Sequence, residues 1–236
     1  MRKSASKPEG LEMAEATGLI KRASGINDPS ARIDLFSSAF IGQPYSDCLL
    51  GGGPALDEVF SATLHAFDCV TYIETVLALS LSNSLDRFAY ELKHMRYDGG
   101  QVDWLHRNHY MVDWARKNKE RGRIAYISDA QLLSKKRRTL NVVEGIAARE
   151  VTFDYFPKRT FRRASGLVRT GDIILFVSTR KNLDVFHTGF LVVAEGEPLL
   201  RHATRSAGSV IEQKATDFLK QHRMPGFILL RPICKD

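Results

Sequence analysis

The distribution of apolar residues changes halfway along this chain, and the change limits the folds that it can adopt. In the first half, apolar residues recur at helical spacing in residues 31–41, 69–81, 85–93 and 110–119. In the second half, short β-branched or apolar runs separated by turn residues occur at 124–127, 142–143, 151–155, 172–178, 187–193 and 226–230. Helices followed by strands predict an α+β fold, with N-terminal helices packed on a C-terminal antiparallel sheet.

The length and the apolar content favour one compact domain. The chain has 236 residues, of which 44% are hydrophobic, enough to bury a substantial core. Residues 1–30 are mostly small and polar, with room for one short helix at 11–22. We therefore expect a loosely attached arm over residues 1–30 and a single domain over residues 31–236.

The chain carries an excess of positive charge, with a formal net charge of +7. Such a charge attracts polyanions in general, including nucleic acid, anionic lipid and cell-wall polymer. The basic residues are scattered, and the densest run, residues 135–138, is predicted to be a solvated surface loop. Because no zinc-finger spacing, RNA-binding signature or phosphate loop accompanies it, we expect no nucleic-acid partner.

The three cysteines are Cys48, Cys69 and Cys234, and none has a CxxC or paired spacing. This pattern predicts neither a disulfide scaffold nor a structural zinc site, and it leaves room for a reactive thiol. Because the chain also lacks an HExxH motif, we expect no metal and no cofactor. The first residues lack the apolar stretch of a secretory signal, and no segment is long enough to span a membrane.

Cys69 opens an amphipathic segment, and the residue before it, Asp68, is a favoured helix N-cap. Cys69 is therefore predicted at the first helical position, where free amides and the positive helix end stabilise a thiolate. The alternative is that Cys69 is one more small buried apolar residue.

Two histidines belong to neighbouring predicted strands. His187 begins the run HTGFLVVA, and His202 ends the next strand in PLLRHAT, with turn residues at 195–198 between them. A hairpin of this kind can bring the two imidazoles together, as base and orienting residue. The alternative is that they are two unrelated histidines at the end of a sheet.

Four short blocks carry a family resemblance, namely HAFDCVTYIE, RTGDIILFVS, DVFHTGFLVV and LLRHAT. In order and spacing they resemble the Asp-Cys, Gly-Asp, His-x-Gly and His-Ala-Ser/Thr blocks of NlpC-type papain-like cell-wall amidases. Over residues 35–233 the chain is similar to a branch of N-acetylmuramoyl-L-alanine amidases associated with muropeptide recycling. The segments FIGQPY, RYDGG, HRNHYMVDW and GFILLRP carry that further similarity, while Thr204 stands where Ser is commoner.

The resemblance implies a papain-like fold and a cysteine amidase that cuts the N-acetylmuramoyl to L-alanine bond through a thioester. Cys69 would be the nucleophile, His187 the general base and acid, and His202 the residue that fixes the imidazole tautomer. The substrate would be bound by Tyr45, Asp68, Arg107, Asn108, His109, Tyr110, Trp114 and Ser206, with Arg96 as a weaker candidate. Charge, stacking surface and hydrogen-bonding groups in residues 107–114 suit a sugar-peptide ligand. Alternatively, Asn108 caps a helix and Trp114 belongs to the core.

Other functions fit the same residues. An NlpC-type endopeptidase would cut between D-Glu and the diamino acid of the stem peptide. A noncatalytic wall-binding or immunity-type module would use only the basic surface, and an acyltransferase or transglutaminase-like enzyme would pass the same acyl group to another acceptor. We expect muropeptides as partners, a monomer, and a location in the periplasm or cell wall.

Overall fold

The computed structural model describes residues 6–47 and 49–233, which divide into two compact units. The first unit contains the chain up to Asn108 together with Ala203–Ile211. The second contains His109–His202 and the chain from Glu212 onward. Cys48 and Cys234, for which the sequence predicts neither a disulfide nor a zinc site, lie outside the described residues.

Four helices build the first unit: α1 (Met13–Arg22), α2 (Pro29–Ala39), α3 (Cys69–Ser80) and α4 (Leu85–Arg96). α3 packs against both α2 and α4. Every residue of α3 from Thr71 to Ser80 is buried, including the charged Glu74, so α3 lies in the centre of the core of this unit. Its first residue, Cys69, is partly exposed.

Residues 6–30 pack within the first unit, contrary to the expectation of a loose arm over residues 1–30. α1 buries Ala16 and Leu19. Before α1, the Glu12 carboxylate accepts hydrogen bonds from the Leu64 amide at 2.7 Å and from the Thr63 hydroxyl at 2.8 Å. The short apolar stripe of α1 therefore has a packing partner, while the domain boundary at residue 31 stays a prediction.

The second unit is built on an antiparallel sheet. Its strands are β1 (Ile124–Tyr126), β2 (Ser134–Leu140), β3 (Arg149–Pro157), β4 (Asp172–Val177), β5 (Val185–Ala194), β6 (Glu197–Thr204), β7 (Ser209–Lys214) and β8 (Gly226–Pro232). The order is β2-β3-β8-β4-β5-β6-β7, and β1 pairs separately with β8. The ends of β6 and β7 belong to the first unit. Helices α5 (Met111–Glu120), α6 (Phe161–Ala164) and α7 (Ala215–Gln221) complete the unit.

The predicted α+β class, with helices first and an antiparallel sheet after them, is confirmed. Three local predictions were wrong or incomplete. The basic run from Lys135 to Arg138 lies in β2 rather than in a loop, and residues 142–143 are not in a strand. β7 and α7 were not predicted, because β7 alternates between buried Val210 and exposed polar residues and so lacks a long apolar run.

Within the described residues, no helix combines the length and the hydropathy needed to cross a lipid bilayer.

Candidate active site

Cys69 occupies the first position of α3, and a complete capping box precedes it. One oxygen of the Asp68 carboxylate accepts the amides of Val70 at 2.8 Å and Thr71 at 2.7 Å, and the Thr71 hydroxyl accepts the Asp68 amide at 2.9 Å. The predicted cap is confirmed. The box fixes where α3 begins and so fixes the position of the Cys69 side chain.

The cap also corrects one expectation about this helix end. Sequence reasoning left the first-turn amides available for a thiolate or an oxyanion, whereas the amides of Val70 and Thr71 donate to Asp68. Asp68 is therefore engaged with the helix backbone. The positive end of the α3 dipole remains a stabilising influence on negative charge at Cys69.

Tyr45 lies beside this helix start. Its segment forms a bridge with Phe67. Burial raises the pKa of Tyr45, while the hydrogen bond with Arg205 acts to lower it. The guanidinium of Arg205 lies 5.9 Å from the centre of the Tyr45 ring and forms an ion pair with Asp47. Sequence reasoning did not single out Arg205, which brings a positive charge to the surroundings of the thiol.

In the second unit, His187 on β5 and His202 on β6 are in contact, as the predicted hairpin required. Nε2 of His187 lies 2.5 Å from Nδ1 of His202, and the two rings are nearly perpendicular. The connecting turn is formed by Glu195 and Gly196, both with positive φ. His187 is partly exposed and His202 is fully buried, so only His187 can meet a substrate.

Burial lowers the pKa of both imidazoles. The pKa of His187 falls to about 3, mainly through burial and then through the neighbouring His202 and His222. The pKa of His202 falls to about 4, again mainly through burial. Both rings are therefore neutral at neutral pH, and a neutral imidazole is the form that can accept a proton.

Gln213 on β7 completes the chain of contacts behind the histidine pair. Its amide nitrogen lies 2.9 Å from Nε2 of His202, on the side of the ring opposite His187. The ring of Phe218 on α7 stacks on His187, with ring centres 5.2 Å apart. His222 in turn stacks on Phe218 at 4.1 Å. Sequence reasoning missed these three residues, because only the tertiary fold brings β7 and α7 to the pair.

Two predicted substrate residues in the first unit have structural partners. The Arg107 guanidinium lies 3.1 Å from both the Gly51 carbonyl and the buried Glu58 carboxylate, and it stacks on Trp104. The Asn108 side chain donates to the Met95 carbonyl and is buried, so Asn108 is neither exposed to a ligand nor the cap of α5. Both residues hold loops in place.

Arg96, the weaker substrate candidate, is also a correction. It is 2% exposed and donates to the Glu74 carboxylate at 2.7 Å and to the Ser61 carbonyl at 2.6 Å. An arginine buried on a carboxylate is expensive to remove from its partner. Arg96 therefore belongs to the core beside α3.

Among the remaining predicted substrate residues, Tyr110 and Trp114 are buried, which for Trp114 is the alternative that the sequence left open, and two residues stay accessible. Trp114 is 0% exposed, and Tyr110, 2% exposed, accepts the amides of Val142 and Val143 on its hydroxyl. These two aromatic residues belong to the core. His109 is partly exposed, and Ser206 is exposed, with its hydroxyl 3.0 Å from that of Thr204.

In residues 6–47 and 49–233, no three His, Cys, Asp or Glu side chains are arranged to hold a metal ion.

Solved structures place the chain in a known α+β fold. A Legionella pneumophila protein matches with a TM-score of 0.81 and 22% identity, over 94% of this chain and 96% of its own. An N-acetylmuramoyl-L-alanine amidase of Bacteroides uniformis matches with a TM-score of 0.76 and 23% identity, over 86% of this chain and 98% of its own. A Bacteroides fragilis protein provisionally named a xylanase gives a TM-score of 0.72 and 23% identity, over 83% and 98%. At such identities the shared feature is the fold, and fold alone does not define a substrate.

The family is shown by the sequence itself. Residues 35–227 match the AmiA-like family, which is described as N-acetylmuramoyl-L-alanine amidase-like, and the chain therefore belongs to this family. No curated protein matches the chain. The predicted N-acetylmuramoyl-L-alanine amidase-like family is confirmed, whereas the NlpC-type papain-like assignment, the cysteine mechanism and the site residues stay predictions.

Proposed function

We propose that this protein is a cysteine-dependent amidase that hydrolyses the N-acetylmuramoyl to L-alanine bond of muropeptides. Membership of the AmiA-like family supports the amidase class and a cell-wall substrate. The observation that carries the cysteine mechanism is the partly exposed thiol of Cys69 at the first position of a capped 12-residue helix. Cysteine nucleophiles occur at such helix ends because the dipole favours the thiolate.

In this mechanism Nδ1 of His187 first takes the proton of the Cys69 thiol. The resulting thiolate attacks the lactyl carbonyl carbon, and a tetrahedral intermediate forms. The intermediate collapses when His187 gives its proton to the alanine nitrogen, so the C–N bond breaks and the peptide leaves with a free amine. The lactyl group remains on Cys69 as a thioester. His187 then removes a proton from water, the resulting hydroxide attacks the thioester, and the lactyl carboxylate and the thiol are released.

His202 is proposed as the residue that orients His187. Its complete burial excludes contact with substrate, and its 2.5 Å contact with Nε2 leaves Nδ1 of His187 as the nitrogen that exchanges protons. This assignment corresponds to a papain-like NlpC arrangement, in which the nucleophile begins a helix and the base and orienting residue lie on neighbouring strands.

Accessible candidates for substrate contact are Tyr45, His109 and Ser206, and Arg205 joins them because it lies beside Tyr45. Asp68 is retained as a positioning residue for Cys69 rather than as a ligand for the sugar or peptide. We propose that the protein acts in the periplasm or cell wall, and the cell-wall substrate of the family supports this location. The chain is proposed to act as a monomer.

The test is digestion of a MurNAc-tripeptide by the wild type and by Cys69→Ala, with the products read by mass spectrometry. The wild type should release intact tripeptide beginning with L-Ala, and Cys69→Ala should lose at least about a thousandfold in turnover while its circular dichroism is unchanged. Cys48→Ala and Cys234→Ala are matched controls and should retain activity.

Two outcomes would contradict the proposal. A folded Cys69→Ala enzyme with wild-type turnover would remove the thiol from the mechanism. A cut after D-Glu that is equally fast on the same peptide without MurNAc would replace the amidase by the stem-peptide endopeptidase, because binding energy from the sugar would then not be used in the transition state.

A further inference from the structure

A groove in the second unit lies between β3 on one side and β1 with α5 on the other. Its volume is about 490 Å³, within the range of sites that bind ligands in proteins, and all its lining residues belong to the second unit. Neither His187 nor His202 lines it. The groove is thus separate from the histidine pair.

The groove exists because β1 and β3 share one edge of β8. β1 pairs with β8 from Leu230 to Pro232, whereas β3 pairs with β8 only through Phe156 and Pro157. From Arg149 to Tyr155, β3 is paired with β2 on one side. Across residues 6–47 and 49–233, no strand pairs with the other side of this stretch.

The backbone of β3 presents hydrogen-bonding groups to the groove. The Lys158 amide donates to Pro225 in the segment leading into β8, which sets the alternation of amide directions along β3. By that alternation, the backbone groups of Thr152 and Asp154 point away from β2 and toward the groove. Both residues line it.

The backbone of β1 also presents hydrogen-bonding groups to the groove, from the side opposite β3. The Ile127 amide donates to Leu229 of β8 at 2.9 Å. The backbone groups of Tyr126 and Ser128 therefore point away from β8, and both residues line the groove. Because β1 and β3 are both antiparallel to β8, they run parallel to each other, so one inserted strand can pair with both.

The groove carries more positive than negative side chains. Arg116 and Lys119 line it from α5 and Arg149 from β3, against the carboxylates of Asp113 and Asp154. Asp113 forms an ion pair with Arg149 and lies 3.9 Å from Arg116. Lys119 is exposed, with its ammonium 5.5 Å from the centre of the Tyr126 ring. A ligand with carboxylates complements this excess of positive charge.

We propose that this groove binds an extended acidic segment of a partner protein, which adds as a strand between β1 and β3. Strand addition uses regular backbone groups, and these are supplied by α-linked L-residues. A stem peptide with D-residues and a γ-linkage does not repeat those groups along a strand. The occupant is therefore a protein segment rather than the amidase substrate, and the inference goes beyond the proposed function.

The experiment titrates the full ¹⁵N-labelled protein with a synthetic L-hexapeptide of alternating Val and Glu. Saturable chemical-shift changes are expected at Tyr126, Ser128, Thr152 and Asp154. Methylating alternate peptide nitrogens removes donors needed for strand pairing and should weaken binding at least about tenfold. A Val-Lys hexapeptide should bind more weakly than the Val-Glu peptide.

Two variants test the groove directly. Lys119→Glu should weaken the Val-Glu peptide at least about tenfold. Lys135→Glu, an equal charge change on exposed β2, should change its affinity less than about twofold. Thr152→Pro removes one groove-facing amide and should also weaken binding, with circular dichroism as the check of folding.

Three results would overturn the proposal. The first is no shift at these residues up to about 1 mM peptide, a concentration that detects even weak binding. The second is equal loss of affinity in Lys119→Glu and Lys135→Glu. The third is displacement of the hexapeptide by a MurNAc-tripeptide, which would assign the groove to the muropeptide.

Discussion

At the scale of single residues, exposure separates the roles of the two central histidines. His187 is partly exposed, whereas His202 is fully buried behind it, with Gln213 on its other side. A residue that exchanges protons with the substrate must be accessible to the substrate. A residue that only orients the ring of another residue can be fully buried. The same contrast leads to two predictions about activity.

Removing the orienting residue should cost less than removing the base. His202→Ala leaves the His187 imidazole present but without its 2.5 Å partner, so we expect kcat/KM to fall about 10- to 100-fold. His187→Ala removes the proton carrier, so its kcat/KM should fall at least about a thousandfold. Steady-state kinetics on MurNAc-tripeptide measures both, and wild-type turnover in His202→Ala would mean that His202 is ordinary structure.

Gln213 is expected to set the tautomer of His202. For Nδ1 of His187 to act as a base, its Nε2 proton must be donated to His202 Nδ1. His202 must then carry its own proton on Nε2 and donate it to the oxygen of the Gln213 amide. Because the amide nitrogen is the atom that lies 2.9 Å from Nε2, this role requires the Gln213 amide to turn by 180° about its last torsion. Gln213→Leu removes this acceptor, and Gln213→Glu keeps one.

We therefore expect Gln213→Leu to lose about 10-fold in kcat/KM and Gln213→Glu to recover most of it. The ¹⁵N shifts of the His202 ring should report Nε2 protonation in the wild type and in Gln213→Glu, with less of that tautomer in Gln213→Leu. Unchanged ring shifts together with unchanged kinetics in Gln213→Leu would reduce Gln213 to packing.

At the scale of elements, the close approach of β5 and β6 holds the histidine pair together. A Cβ added at Gly189 would lie 2.8 Å from both the Arg201 carbonyl oxygen and the His202 Cβ. The strands can approach this closely only because residue 189 has no side chain. This is the physical reason for the glycine two positions after His187.

Gly189→Ala should therefore force β6 away from β5 and move His202. We expect a loss of about 1–3 kcal/mol in the free energy of unfolding, measured by urea titration, and reduced kcat/KM. Gly166→Ala is the matched control in the same unit, because a Cβ there meets no atom within 4 Å. Equal stability of the two variants would show that the strands can separate without cost.

Sequence patterns predicted the elements whose signals are local. The Asp68 cap and the apolar run of α3 follow from adjacent residues, and the hairpin of His187 and His202 follows from two apolar runs and a turn. The contact of Gln213 with His202 could not be predicted from such local signals, because it depends on β7 lying beside β6. The burial of Arg96 likewise depends on neighbours distant in sequence, whereas the burial of Trp114 was one of the two alternatives that the sequence left open.

At the scale of the whole molecule, the buried histidines make stability depend on pH. The pKa of His202 is lowered from its ordinary value of 6.5 to about 4. Between these values the unfolded chain binds the proton and the folded chain does not. The stability associated with neutral His202 is therefore fully present above pH 6.5 and is lost as pH falls toward 4.

The free energy of unfolding should therefore fall as pH is lowered from about 6.5, by at most about 1.4 kcal/mol per pH unit for each such histidine. His202→Gln should reduce this slope. His65 is exposed, and its hydrogen bond to Glu15 raises its pKa, so its contribution to the free energy of unfolding grows as pH falls. His65→Gln should therefore make the loss of stability at low pH steeper. Urea titrations at pH 7 and pH 5 distinguish these outcomes, and equal slopes in all three proteins would contradict the assignment.

The basic run of β2 has a consequence for how copies of this protein coexist in concentrated solution. β2 is the outer strand of the sheet, and its exposed Lys135 and Arg137 project along an edge whose backbone groups could otherwise template a neighbour's strand. Two such edges repel each other, so lateral sheet extension and aggregation between copies are disfavoured. The densest positive cluster in the sequence thus contributes to colloidal stability without requiring any ligand.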